Sequence, residues 1–84
     1  MSRVFIANLA PEVDIPTLEA LTFTFGPVIT IDLPEGPDGN HKGHGFVHYE
    51  DPEDAASAID NLHRGELFGR TLSVEYAKEG ERPM

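Results

Sequence analysis

Residues 42–49, KGHGFVHY, alternate two kinds of side chain. In a β-strand, successive side chains point to opposite faces of the sheet, so the alternation defines two surfaces. Val47 and Tyr49 are typical of a buried face. The other face carries two imidazoles and one phenyl ring, from His44, Phe46 and His48. This second face is aromatic without being strongly apolar, which indicates either an unusual solvent-exposed surface or one that contacts something flat.

Three other segments have the alternating, β-branched composition of strands, at residues 3–8, 28–33 and 71–77. Residues 34–43 contain several glycines and prolines and predict a mobile, turn-rich connection before the octapeptide strand. Residues 64–70, RGELFGR, predict a short hairpin around Glu66 and Leu67.

Two helices are predicted between the strands, each with an aspartate at its N-terminus. Asp14 and Asp51 are suitable N-cap residues, and a proline follows each within the first turn. Apolar residues then recur at helical spacing: Leu18, Leu21 and Phe25 in the first helix, and Ala55, Ile59 and Leu62 in the second. The Gly-Pro pair at 26–27 should end the first helix. We expect Leu21 to turn inward and the neighbouring Phe23 to be half buried. The alternative is that Phe23 lies partly outside the core and marks a protein-contact patch on the helical side.

The resulting order, β-α-β-β-α-β, predicts the α+β ferredoxin-like fold. Right-handed crossovers place both helices on one face of a four-stranded antiparallel sheet, with the first and third strands in the middle. The opposite face of the sheet is then open to solvent. Phe5 of the first strand lies beside His44, Phe46 and His48 on that open face, where aromatic rings can stack on the bases of single-stranded RNA.

The charge balance is unusual for a nucleic-acid binder. Six Lys and Arg stand against fifteen Asp and Glu, for a net charge of −9, whereas such domains usually carry a basic surface. Net charge bears on solubility and association and not on fold, so a local cationic and aromatic site is still consistent with weak RNA binding. The same acidity favours a basic protein partner, or serves solubility alone.

Catalysis, metal binding and membrane insertion find little support in the sequence. There is no cysteine and no glycine-rich anion loop, and Asp14 and Asp51 are explained as helix caps. His41, His44 and His48 lack a further ligand to complete a tetrahedral site, so we expect no metal and no cofactor. No apolar run is long enough for a signal peptide or a membrane span. We expect a soluble, intracellular, monomeric domain that is not an enzyme.

Residues 4–9, VFIANL, and the octapeptide resemble the two ribonucleoprotein signatures of the RNA recognition motif, or RRM. The octapeptide matches seven of the eight positions of the longer signature, and His44 is the exception. The resemblance covers nearly the whole chain and implies a single RRM at residues 1–79 with a flexible tail at 80–84. Four further stretches resemble the N-terminal RRM of cyclophilin E-type nuclear prolyl isomerases: APEVD, FGPVITIDLP, EDAASAIDNL and ELFGRTLSVEYAK.

The closer resemblance implies a nuclear module that binds single-stranded RNA in pre-mRNA processing or in a spliceosomal ribonucleoprotein. RRMs of that subfamily also bind a chromatin-reader finger domain. The alternative is therefore a protein-interaction RRM that docks a basic nuclear protein or peptide and binds RNA weakly or not at all.

The resemblance also implies roles for individual residues. Phe5 and Phe46 match the two stacking aromatics, and we expect both to be exposed. His44 stands where the family usually has Phe or Tyr, a ring that packs against a sugar or a neighbouring base. Lys42 matches a phosphate-binding position, and Asn8 matches the polar position that closes the short signature. The predicted RNA-binding set is completed by Arg3, His48, Glu75 and Lys78.

Three residues depart from the family pattern. An imidazole at His44 offers less stacking area, and it gains charge in mildly acid conditions, so RNA binding should strengthen as the pH falls. Alternation places Asp32 and Glu75 on the open face, where carboxylates repel phosphates or accept hydrogen bonds from base amino groups. We expect micromolar or weaker RNA affinity with a shallow dependence on salt.

Overall fold

The computed structural model describes residues 2–77 and confirms the predicted order of elements. The elements are β1 Arg3–Ala7, α1 Ile15–Phe23, β2 Val28–Asp32, β3 His44–Tyr49, α2 Pro52–Leu62, β4 Glu66–Leu67, β5 Arg70–Thr71 and β6 Ser73–Tyr76. Strands β2, β3, β1 and β6 form, in that spatial order, an antiparallel sheet. The fold is the predicted α+β ferredoxin-like arrangement, with β1 and β3 in the middle. The predicted tail and Lys78 lie outside the described residues.

All four strands of the sheet are shorter than predicted, and β2 ends at Asp32 instead of residue 33. Asn8 has a φ of 65°, in the left-handed region, and β1 ends before it at Ala7. Gly43 has a φ of 90°, which glycine adopts without steric cost, and β3 begins after it. Thr71 pairs with Glu66 in the predicted hairpin of β4 and β5 and is not part of β6.

The core lies between the sheet and the two helices, as the alternation predicts. The sheet buries Val4, Ile6, Val47 and Tyr49 on its helix-facing side, and the helices add Leu18, Ala55, Ala58 and Leu62. Asp14 and Asp51 cap the two helices as predicted, by accepting hydrogen bonds from the backbone N–H groups of Thr17 and Glu53. Neither helix of the described chain is long and apolar enough to cross a membrane.

Helix α1 is rotated so that Thr22, and not a larger residue, faces the core. Leu18 and Thr22, one turn apart, are fully buried, and the hydroxyl of Tyr49 donates a 2.7 Å hydrogen bond to the carbonyl of Thr22. Leu21 packs against the core, as expected. Phe23 is 58% exposed, more than the favoured half-buried position, and lies outside the core as in the alternative interpretation. The Tyr49 hydroxyl meets the backbone of α1 at the buried Thr22, and the next residue along the helix, Phe23, points outward.

Candidate nucleic-acid interface

A row of four side chains crosses the open face of the sheet. In the pairing register, Phe46 lies between Asp32 and Phe5. Phe5 in turn lies opposite Glu75. Directly paired residues of antiparallel strands point to the same face. The row therefore places one exposed carboxylate at each end of two phenyl rings, and the prediction that Asp32 and Glu75 lie on the open face is confirmed.

Three aromatic rings form one cluster in the middle of this face. The Phe5 ring centroid lies 5.2 Å from that of Phe46 and 5.5 Å from that of His44, and both ring pairs are tilted. The rings of His44 and Phe46 meet edge to face, with centroids 6.1 Å apart. These separations lie within the range in which aromatic pairs attract each other. The cluster is thus a preformed platform on the two central strands, where the backbone is held by hydrogen bonds on both sides.

Phe46 is less accessible than predicted. Its exposed fraction is 3%, whereas Phe5 and His44 are partly exposed. The guanidinium carbon of Arg3 lies over the Phe46 ring, 5.5 Å from its centroid, which is the geometry of a cation–π contact. Together with the rings of Phe5 and His44, this contact covers the ring. The prediction that both phenylalanines are exposed is therefore wrong for Phe46.

The cationic side chains near the platform are few. Arg3 lies opposite His48 in the register of β1 and β3, next to the Phe46 ring. Lys42 is exposed just before β3, at the end of the strand that carries His44. These residues border the aromatic cluster from opposite ends of β3, so a strand of RNA that crosses the platform would pass both.

Asn8 has a clear structural role. Its side-chain amide donates a 2.8 Å hydrogen bond to the carbonyl of Thr71, and its amide oxygen accepts a longer bond, of 3.5 Å, from Arg70. The residue therefore ties the end of β1 to the β4–β5 hairpin. Its left-handed backbone conformation, which Asn tolerates better than most residues, fits this role.

The structure assigns a role to His41 that the sequence did not indicate. One ring nitrogen, Nδ1, accepts a hydrogen bond from the N–H of Gly43, and the other lies 2.9 Å from the carbonyl oxygen of Ala10. The imidazole thus joins the connection between β2 and β3 to the loop after β1. Nothing in the spacing of residues 34–43 marks this contact, since it depends on two loops meeting in space. Within residues 2–77, no group of three His, Asp or Glu side chains is placed to hold a metal ion.

Comparison with known proteins places this geometry in a family. The RNA recognition motif family model matches residues 4–73. The chain is 32% identical over 78 residues to multiple RNA-binding domain-containing protein 1 of Dictyostelium discoideum, covering 93% of this chain and 9% of that protein. The chain therefore spans about a tenth of the length of the curated relatives it matches.

Solved structures agree with this result. The crystal structure of RNA binding protein PG1 has a TM-score of 0.88 and 33% identity, with all of both chains covered. A structure of the Rna15 RRM with bound RNA (GU) has a TM-score of 0.85 and 27% identity, covering 95% of this chain and 86% of that one. The chain belongs to the RNA recognition motif family, whose members are RNA-binding domains.

Proposed function

We propose that this domain binds single-stranded RNA on the open face of its sheet. The observation that carries the proposal is the cluster of Phe5, Phe46 and His44 in the middle of an uncovered antiparallel sheet. Stacking of a base on an aromatic side chain contributes about 1–3 kcal/mol per base. Phe5 is the first ring a base meets, because it is more exposed than Phe46.

The second stacking position opens by displacement of Arg3. A phosphate that approaches the platform attracts the guanidinium away from the Phe46 ring, and the next base then takes its place. Arg3 in this way exchanges a cation–π contact for a charge-assisted hydrogen bond. Lys42 meets a phosphate at the other end of β3, and His48 lines the path beside Arg3. Lys78 belongs to the same proposed RNA-binding set.

The two carboxylates of the central row select among bases. Asp32 and Glu75 are acceptors only, so they favour the exocyclic amino groups of adenine, cytosine or guanine over uracil, whose single N3–H donor lies between two carbonyl oxygens. They also repel phosphates, which keeps affinity micromolar or weaker. With two to four phosphate contacts, the logarithm of the binding constant should fall with the logarithm of salt with a slope of about −1.5 to −3.

The cellular role follows from resemblance. Similarity to RRMs of cyclophilin E-type isomerases supports a nuclear role in pre-mRNA processing or in a spliceosomal ribonucleoprotein. Relatives whose names specify RNA binding support the general activity. The domain acts as a monomer, without cofactor and without a catalytic step. A second function, docking of a basic protein, is favoured by the net charge of −9.

The test is a fluorescence-anisotropy titration of short labelled RNAs with the wild type and Phe5→Ala. Loss of one stacked base should weaken binding about tenfold or more. The matched control is Phe68→Asn, which removes another exposed phenylalanine, in the turn between β4 and β5. Equal affinities of the wild type and Phe5→Ala would show that the platform is not the RNA site.

A further inference from the structure

A second surface with an exposed aromatic side chain, Phe23, lies on the helix side of the sheet, where α1 and β2 contain no lysine or arginine. The sequence has no lysine or arginine between residues 4 and 41, nor between residues 43 and 63, although both segments contain several aspartates and glutamates. These segments form both helices, β2 and β3. The charged residues of α1 and β2 are Glu19 and Asp32, both negative, and of these Glu19 lies on the helix side of the sheet. Arg3 and Lys42, in contrast, lie beside the aromatic platform.

Three large apolar side chains are exposed together on that surface. Ile15, Phe23 and Ile29 have exposed fractions of 39%, 58% and 54%. Ile15, Glu19 and Phe23 follow one another at four-residue spacing and so share one face of α1. Single exposed apolar residues are ordinary, but three around one groove are typical of an interaction site. We call Ile15, Glu19, Phe23 and Ile29 the α1–β2 patch.

The patch has a shape that can receive a side chain. A groove of about 180 Å³ runs between α1 and β2 and is lined by all four residues of the patch. A wider recess of about 480 Å³ lies along α1 and is lined by Pro16, Ala20 and Phe23. The Phe23 side chain thus separates the groove from the recess and borders both.

The position of Ile29 results from an irregularity in the edge strand. The register of β2 against β3 shifts between Val28 and Thr30, so Ile29 is an extra residue without a partner in the ladder. The bulge leaves its side chain in the groove beside α1 and outside the core. Bulges of this kind re-aim side chains at sheet edges.

Carboxylates lie within the patch and at one end of it. Glu19 lines both the groove and the recess. At the end of α1, a Cβ built on Gly26 would overlap the carboxylate of Asp54, which shows how closely α2 approaches there. The first turn of α2 also contains Glu53 and follows the cap Asp51, so its negative charges lie near the same end of the patch.

We propose that the α1–β2 patch docks a protein segment in which a large apolar side chain lies next to lysine or arginine. The apolar side chain enters the groove between Phe23 and Ile29, and the cationic group meets Glu19. RNA does not fit this site, because its phosphates would face carboxylates alone. Since α1 covers the face of the sheet opposite to the aromatic platform, the peptide and RNA bind without competing.

The test is selection of a displayed library of short random peptides on the wild-type domain, with removal of peptides that also bind Phe23→Ser. Enriched peptides should share an apolar residue adjacent to Lys or Arg. As synthetic peptides they should bind at least about tenfold more weakly to Ile29→Thr, and about threefold more weakly to Glu19→Gln. Thermal melts should show all variants folded, since the changed side chains are exposed.

Phe5→Ala and Phe68→Asn are the matched controls, and neither should change peptide affinity. Failure to enrich any peptide over the Phe23→Ser counter-selection would overturn the docking site. Enrichment of apolar peptides without a basic residue would overturn the charge assignment. Loss of peptide binding in Phe5→Ala would place the peptide on the open face. RNA binding is measured on the same proteins, so failure of the RNA proposal is seen separately.

Discussion

The open face of the sheet and the α1–β2 patch both expose aromatic side chains, but they differ in the charges beside them. Arg3 and Lys42 border the platform, whereas Glu19 lies within the patch. An aromatic ring stacks on a base or packs against an aliphatic side chain with little discrimination. The sign of the neighbouring charge therefore decides which polymer each surface attracts, a polyanion at the platform and a cationic peptide at the patch.

The two surfaces also differ in how their rings are held. On the platform, Phe5, Phe46 and His44 support one another and lie on strands paired on both sides. In the patch, Phe23 is the last residue of a helix, and Ile29 occupies a bulge in an edge strand. Substitution of the buried Phe46 should therefore affect folding, whereas substitutions at the patch should affect only binding.

The largest expected difference between the two surfaces is in the free energy of unfolding that each loses when a phenylalanine is replaced by alanine. Phe46→Ala removes a ring that is 3% exposed and should lower the free energy of unfolding by about 2–4 kcal/mol. Phe23→Ala removes a ring that is 58% exposed and should change it by less than about 0.5 kcal/mol. Urea denaturation followed by circular dichroism measures both values. Similar losses for the two variants would erase the distinction between a packed platform and an exposed patch.

The next effect concerns Tyr49, which links the two surfaces. Tyr49 is the last residue of β3, the strand that also carries His44 and Phe46. Its side chain points to the core, where the hydroxyl donates a hydrogen bond to the carbonyl of Thr22, the residue before Phe23. Tyr49→Phe should lower the free energy of unfolding by about 1 kcal/mol, because that hydrogen bond is lost. We also expect weaker peptide binding at the patch and unchanged RNA affinity, measured by anisotropy on the same samples.

Alkaline titration provides a second readout of Tyr49. Burial raises the pKa of Tyr49 from 10.0 to about 12, and the nearby Thr22 side chain opposes this shift only in part. A pKa that is higher in the folded state than in the unfolded state stabilises the fold below pH 10, and this contribution is lost as the pH rises towards 12. The wild type should lose stability across that range, and Tyr49→Phe should lose less. Identical alkaline profiles would contradict the assignment.

The alternation of side chains between the two faces of each strand was enough to predict most of the platform. It placed Phe5, Asp32 and Glu75 on the open face, because side-chain direction in a paired strand follows from position alone. The burial of Phe46 was not predictable, since it depends on the side-chain conformation of Arg3, which extends from β1 over the Phe46 ring on β3. The exposure of Phe23 depends on the rotation of α1 about its own axis above Tyr49. The spacing of apolar residues does not fix this rotation closely enough to decide which of two neighbouring residues faces the core.

The carboxylates test the base selectivity of the platform. Oligomers of A or C should bind a few-fold more tightly than oligomers of U, about 1 kcal/mol of preference. Asp32→Asn with Glu75→Gln should reduce that preference while raising the affinity for all RNAs, because two negative charges are removed. Asp60→Asn, an exposed charge change on α2, is the control and should leave the preference intact. A preference that survives in the double variant would have to come from stacking alone.

The smallest expected effect is the pH dependence of the platform. Protonation of His44 adds a positive charge beside Phe5, so RNA binding should strengthen a few-fold between about pH 8 and 5.5. His48 lies beside Arg3, and Nδ1 of His41 accepts a hydrogen bond from the N–H of Gly43, next to Lys42. His44→Phe isolates the first effect, because it keeps a ring on the platform and removes its charge. If His44→Phe retains the full pH trend while His48→Gln loses it, the responsible charge lies beside Arg3 and the His44 hypothesis is wrong. Peptide binding at the patch, where no histidine lines the groove, should show no parallel change.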